Sequence, residues 1–238
     1  MSISFTSSLL RRRFLPLPAA LMAGMLASCM GPVPVDAGFK AKRGQKVAVI
    51  AMRAPQATVH HIGNQGLLDM AVNHATSTGS RNQLANYPSQ AKLDAVGNDF
   101  AKRLNSKGYK ATFLNVHPEL KDFNPTMARP SASKPIHGAG SYLNGYDAAI
   151  YLTMPAVGRS KLVYAFIPLS RSNAIAPLQG SMFETATQKR TWRSQLVTID
   201  PGSGVRVEDD SDAGLYRALD TAVQNSSNNL QEDFFEGW

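Results

Sequence analysis

Cys29 is the only thiol in this 238-residue chain. It follows Leu26-Ala27-Ser28 at the end of an apolar run, a place where cutting of a leader and modification of the sulfur would coincide. Five histidines offer metal or proton chemistry: His60, His61, His74, His117 and His137. His60 and His61 are adjacent, so on a strand they face opposite ways and on a helix they diverge by about 100°, and neither geometry chelates well. His74 keeps no ligand spacing with them and the chain has no His-Glu-x-x-His pattern. These histidines therefore read as surface or capping groups, and no metal or cofactor is expected. Gly138-Ala139-Gly140-Ser141 and Gly180-Ser181 are Gly/Ser turns with no base close by in sequence, and the Gly-x-Ser-x-Gly elbow is absent. A triad can be assembled from any chain order, so this argues against a hydrolase without removing it. Asp209-Asp210-Ser211-Asp212 lacks the alternating oxygens of a calcium loop. It suits the start of a helix, where carboxylates complement the dipole.

The region before Cys29 has the three parts of a secretory signal. Arg11, Arg12 and Arg13 supply positive charge with no acid before Asp36, residues 14–26 are apolar, and Ala27-Ser28 are small. The apolar run holds Pro16 and Pro18 and falls short of the ~20 residues that span a bilayer, which argues against a retained transmembrane helix. Leu26-Ala27-Ser28-Cys29 resembles the lipobox of bacterial lipoproteins. That resemblance implies cleavage before Cys29, diacylglycerol on its sulfur and palmitate-type acylation of the new amino group, and two or three chains suffice for stable anchoring. Arg-Arg-x-Phe-Leu at residues 11–15 also looks like a twin-arginine motif, so both that route and the general secretory route stay open. Met30, not aspartate, follows Cys29, which by the same resemblance implies the inner leaflet of an outer membrane.

Removing residues 1–28 leaves 210 residues, enough for a single domain with a good core. Three of the eight net positive charges lie in the leader, leaving about +5 on the mature chain. The basic residues are scattered, with no run beyond Lys40-Ala41-Lys42-Arg43, so nucleic acid is not an expected partner. With Cys29 acylated no disulfide or thiolate metal site can form.

The organisation read from the chain is 1–28 signal peptide, 29–45 lipidated tether and 46–238 single periplasmic domain. Residues 30–45 are rich in Pro, Gly and Lys and predict an extended tether. Lys46–Met52 is a nearly continuous apolar run, the signature of a central strand covered on both faces. In residues 55–87, Leu67, Leu68, Met70, Ala71 and Ala75 predict a short helix from Gly66, with His60-His61 and Ser77–Ser80 in loops. Leu93, Val96, Gly97, Phe100 and Leu104 keep helical spacing from Ser89 to Lys107-Gly108, and a strand follows over 109–116. Residues 117–145 hold four prolines and no clean period, which predicts a long surface loop. Strands are expected over 146–154, 162–169, 179–187 and 191–199, the last two forming a hairpin through Gln188-Lys189-Arg190. Leu215, Leu219, Ala222, Val223 and Leu230 mark a final helix. Phe234, Phe235 and Trp238 after it either fold back on the core or stand exposed for a partner groove, folding back being favoured.

This order predicts an α+β fold: one domain, a mixed sheet of about five to six strands, and helices mostly on one face. The strand Lys46–Met52 behind a lipobox tether, and a hairpin bearing Trp192 before a terminal helix, resemble the periplasmic α/β domains of envelope-assembly lipoproteins. These are of the type of the curli-secretion channel lipoprotein and the lipoprotein activator of penicillin-binding proteins, and the resemblance covers residues 46–230. The expected function is a non-enzymatic lipoprotein, anchored in the bilayer through Cys29 and facing the periplasm. It would act by protein–protein contact in envelope assembly or maintenance. Alternatives are a homo-oligomeric secretion or export component, and a periplasmic hydrolase acting on wall or lipid. Export through spanning strands would need about 9–11 alternating residues, and 162–169 and 179–187 are short for that.

Overall fold

The computed structural model describes residues 31–128, 141–197, 199 and 203–238. Residues 1–30, with Cys29 and the expected leader, lie outside the described residues, as do His137 and the expected turns at Gly138–Gly140 and Pro201-Gly202. Pro32–Trp238 forms one compact unit, and the α+β fold expected from the sequence is the fold observed.

The main sheet has the order β3 (Lys110–Leu114), β1 (Lys46–Ala51), β4 (Ala148–Thr153), β8 (Gln179–Glu184), β9 (Arg190–Arg193). β1 pairs in parallel with both β3 and β4, while β8 and β9 run antiparallel. The apolar run at β1 is explained by its two covered faces. Val47, Val49 and Ala51 point into the larger core, and Ala48, Ile50 and Met52 into a second cluster on the other side. The larger core receives α4 (Ser89–Ser106) and α5 (Asp212–Phe235), so helices do pack on one face. Leu93, Phe100 and Leu104 of α4 are fully buried there, each contributing ~1.5–3 kcal/mol of transfer free energy. α4 comes close to β3 only because residue 97 is glycine, since a Cβ there would lie 2.5 Å from the Phe113 ring.

The other face is covered by the loop after β3, which corrects its reading as a surface segment. Phe123 and Leu143 are buried against Tyr151 and Phe183. The Arg190 guanidinium holds this loop by donating to the carbonyls of Pro125 and Thr126 at 2.9 and 3.3 Å. Irregular backbone serves here because its carbonyls find a fixed fork of N–H donors.

A second, shorter-stranded sheet was not anticipated. Its order is β10 (Val205–Arg206), β7 (Asn173–Ile175), β5 (Gly158–Tyr164), β2 (Thr58–Ile62), with β6 (Ile167–Pro168) paired to β5. His60 and His61, expected in a loop, sit on β2. The expected strand 162–169 is instead a tight hairpin, β5–β6, turning at Ala165 with φ 54°. α2 (Leu67–Thr76) begins after its cap Gly66, as predicted, but Ser77–Ser80, expected as a loop, instead cap and open a further helix, α3 (Thr78–Leu84).

Residues 32–45 are not a free tether. Val33 and Arg193 exchange both backbone hydrogen bonds at 2.9 Å, and Asp36 N–H donates to the Thr191 carbonyl at 2.9 Å, so this arm extends the sheet beyond β9. Asp36 then caps the short helix α1 (Ala37–Ala41) by accepting from the N–H groups of Gly38 and Phe39. Phe39 is buried in an aromatic cluster with Tyr109, Phe234 and Trp238. The physical reason for the correction is that this cluster offers Phe39 a site no local pattern announces. The same cluster shows that the aromatic residues 234–238 fold back. Trp192 is fully buried, its Nε1–H donating to Asp233 Oδ2 at 3.2 Å. Its ring lies over Gly180, where a Cβ would come 2.1 Å from it.

Candidate contact face and cationic pocket

α2 inverts the usual rule for a helix at a protein surface. Its buried side chain is Asn73, while Leu67 and Leu68 are 85% and 78% exposed and Met70 and Val72 also face outward. The apolar residues read from the sequence form a helix, but among the described residues nothing covers Leu67, Leu68, Met70 or Val72.

The polar side of α2 is its mount. Asn73 Nδ2 donates to Gln65 Oε1 at 2.8 Å and to the Ala165 carbonyl at 2.9 Å. Ala165 N–H in turn donates to the Asn64 carbonyl at 3.0 Å. Gly66 N–H donates to Asp69 Oδ2, so that carboxylate is engaged in starting the helix. A close approach of backbones completes the joint: Gly63 has φ 128°, and a Cβ on it would lie 2.1 Å from the Val163 carbonyl oxygen.

These bonds bring the β5–β6 hairpin beside α2. Tyr164, Phe166, Ile167 and Leu169 of the hairpin are each more than half exposed. Eight large apolar side chains thus stand in the open on two elements that are hydrogen-bonded together. A face of this kind marks a place for a protein or a membrane. Sequence reasoning assigned both segments to the folded body and missed the face. The available signal was Asn73 amid apolar neighbours.

A cavity of about 220 Å³ adjoins the face, lined by Val59, His61, Gln65, Met70, His74, Ser77 and Arg81. His61 Nε2 lies 3.1 Å from Ser77 Oγ, and the Arg81 guanidinium lies against the His74 ring and its carbonyl. Burial holds the His61 pKa below its ordinary value, and Lys161, Arg81 and His60 push it further the same way. Ser77–His61 has the contact of a nucleophile and base. Catalysis of that type passes through an imidazolium steadied by a carboxylate, and the charges reaching His61 here are cations. The pair fits a neutral hydrogen bond that seats α3 on β2.

His60 and His117 hold structural posts. His60 Nε2 lies 3.1 Å from the Val157 carbonyl, and His117 Nε2 lies 3.0 Å from Asp94 Oδ1, which also accepts from Gln90. Among the described residues no group of three His, Cys, Asp or Glu could hold a metal ion, and no helix is long and apolar enough to cross a membrane. A second cavity, about 230 Å³, lies between Ile175, Val205 and Ala222, with Ser203, Asn225, Ser226 and Asn229 among its polar lining, and among the described residues no titratable group lines it.

No protein-family model and no curated protein matches the chain. Among solved structures, a Helicobacter pylori protein described as a neuraminyllactose-binding hemagglutinin homolog is similar at a TM-score of 0.33 and 8% identity, over 82% of this chain and 85% of that one. A likeness at that level assigns no role here.

Proposed function

We propose that the chain is a bacterial lipoprotein, acylated at Cys29 and facing the periplasm from the inner leaflet of an outer membrane. Its body works by contact with envelope proteins in assembly or maintenance, without turnover of a substrate. The docked arm is the observation that supports this reading best. Val33 is already fastened to β9, so an acyl anchor four residues earlier leaves a leash of at most about 14 Å. A body on so short a leash meets chiefly what lies in the same thin layer, and confinement raises its effective concentration toward those partners.

The test is mass spectrometry of the amino-terminal peptide with fractionation and cross-linking in intact cells, run beside Cys29→Ala. The expected result is an acylated Cys29 in the membrane fraction and cross-linked protein partners that Cys29→Ala loses. An unmodified thiol would overturn the anchor. Robust catalysis by the purified body, abolished by His61→Ala, would overturn the contact role.

A further inference from the structure

We propose that the exposed face of α2 and the β5–β6 hairpin inserts into the headgroup layer of an anionic lipid bilayer. Leu67, Leu68, Tyr164, Phe166 and Ile167 would enter the lipid, and Lys161, Arg171 and Arg81 would meet lipid phosphates. The inference deepens the lipoprotein reading by naming a second point of attachment, and it rests on that reading for the nearness of the bilayer.

Three observations select lipid over a protein groove. The first is charge. Residues 58–81 and 158–173 carry Arg81, Arg159, Lys161 and Arg171 against the single acid Asp69. Asp69 is engaged at Gly66, and Arg159 is paired with Asp210 outside these segments. The rim left over, Arg81, Lys161 and Arg171, is cationic, and it complements phosphodiester groups.

The second is shape. The apolar groups sit on the first turn of a helix and the tip of a tight hairpin, and Leu67 and Leu68 are almost as open as in an extended peptide. Projecting tips with mixed aliphatic and aromatic side chains suit the soft boundary between headgroups and acyl chains, where binding grows with the apolar area inserted.

The third is the chain before the described body. An anchor at Cys29 lies four residues from the docked Val33, so the bilayer is the one partner always within reach. A flexible acyl anchor alone fixes distance but not orientation. A second, protein-borne contact would fix which side of the body faces the periplasm.

The experiment uses the unacylated mature chain, residues 29–238 with Cys29→Ser, which leaves no thiol because Cys29 is the only cysteine. A single cysteine is then placed by Leu68→Cys, by Phe166→Cys, or at the remote exposed position Lys102→Cys, and labelled with an environment-sensitive fluorophore. Vesicles of phosphatidylglycerol and phosphatidylethanolamine are compared with vesicles of phosphatidylcholine. The expected result is binding to the anionic vesicles, with a blue shift at positions 68 and 166 and none at 102. The double variant Leu68→Asp/Phe166→Asp should weaken binding about tenfold or more while leaving the melting temperature unchanged, because both side chains are already in water.

No binding to anionic vesicles at low salt would overturn the proposal, as would binding undiminished by the double variant. A concentration-dependent dimer that the double variant abolishes, without vesicle binding, would instead give the face to a second copy of the chain. Acylation of Cys29 is read separately by the mass of the amino-terminal peptide, so failure of the anchor and failure of this face are distinguishable.

Discussion

Asn73 and Ala165, far apart in sequence, meet through one hydrogen bond: the Asn73 amide donates to the Ala165 carbonyl at 2.9 Å. That bond joins α2 to the tip of the β5–β6 hairpin and makes one surface of two apolar segments. Asn73→Ala removes two part-buried hydrogen bonds, to Gln65 and to the Ala165 carbonyl, a loss of about 1–3 kcal/mol for the pair. Amide hydrogens of the hairpin around Ala165 should exchange faster in this variant, while those of β1 keep their protection. Equal acceleration in both places would show that the bond is not a local clamp.

Phe39 decides whether the arm stays on the body. It stacks on Tyr109 at 4.9 Å and meets Phe234 and Trp238 edge-on. Phe39→Ala is expected to cost about 3–5 kcal/mol by opening a cavity in that cluster. Thermal melting reads the global loss, and trypsin should cut after Lys40, Lys42 or Arg43 at a dose the parent resists. Unchanged cleavage would mean that the strand pairing of Val33 suffices alone.

Burial raises the Asp233 carboxyl pKa, opposed by the hydrogen bond from Trp192. A neutral acceptor should therefore serve Trp192 at least as well. Asp233→Asn is expected to keep stability within about 1 kcal/mol at neutral pH, whereas Asp233→Ala orphans the Trp192 N–H and costs about 1–3 kcal/mol. Denaturant titrations of the two variants check this, and equal losses would exclude the hydrogen bond as the reason Asp233 matters.

His61 gives the fold a defined pH dependence. Its pKa is depressed from 6.5 in the folded chain, so above about pH 6.5 the imidazole is neutral in both folded and unfolded states and its contribution is fully present. As pH falls below that value, the unfolded chain binds the proton first and stability is lost toward the depressed folded value. His61→Gln should flatten this part of the melting-temperature profile. A parent profile already flat between pH 7 and 5 would contradict it.

Where one short stretch carries the whole physical cause, the structure was legible in advance. β1 could be read because a strand covered on both faces must be apolar at every position, and Val47–Ala51 are. α4 and α5 could be read because one buried stripe recurs at helical spacing, and the β8–β9 hairpin because two strands flank a polar turn. Leu26-Ala27-Ser28-Cys29 is a local pattern too, but Cys29 lies outside the described residues, so the acylation proposed for it rests on the sequence alone.

Only the tertiary structure decided the rest. β7 and β10 have three and two residues, too few to show any period, and they exist because neighbouring strands supply their hydrogen bonds. The arm at Val33–Phe39 looked like a tether because its Pro- and Gly-rich composition has no regular pattern, and its binding energy comes from Tyr109, Phe234 and Trp238, distant in the chain. The face on α2 shows the same limit most clearly. Spacing tells which apolar residues share a side of a helix, but whether that side is covered depends on what the rest of the chain brings to it, and here the chain brought Asn73's partners to the opposite side.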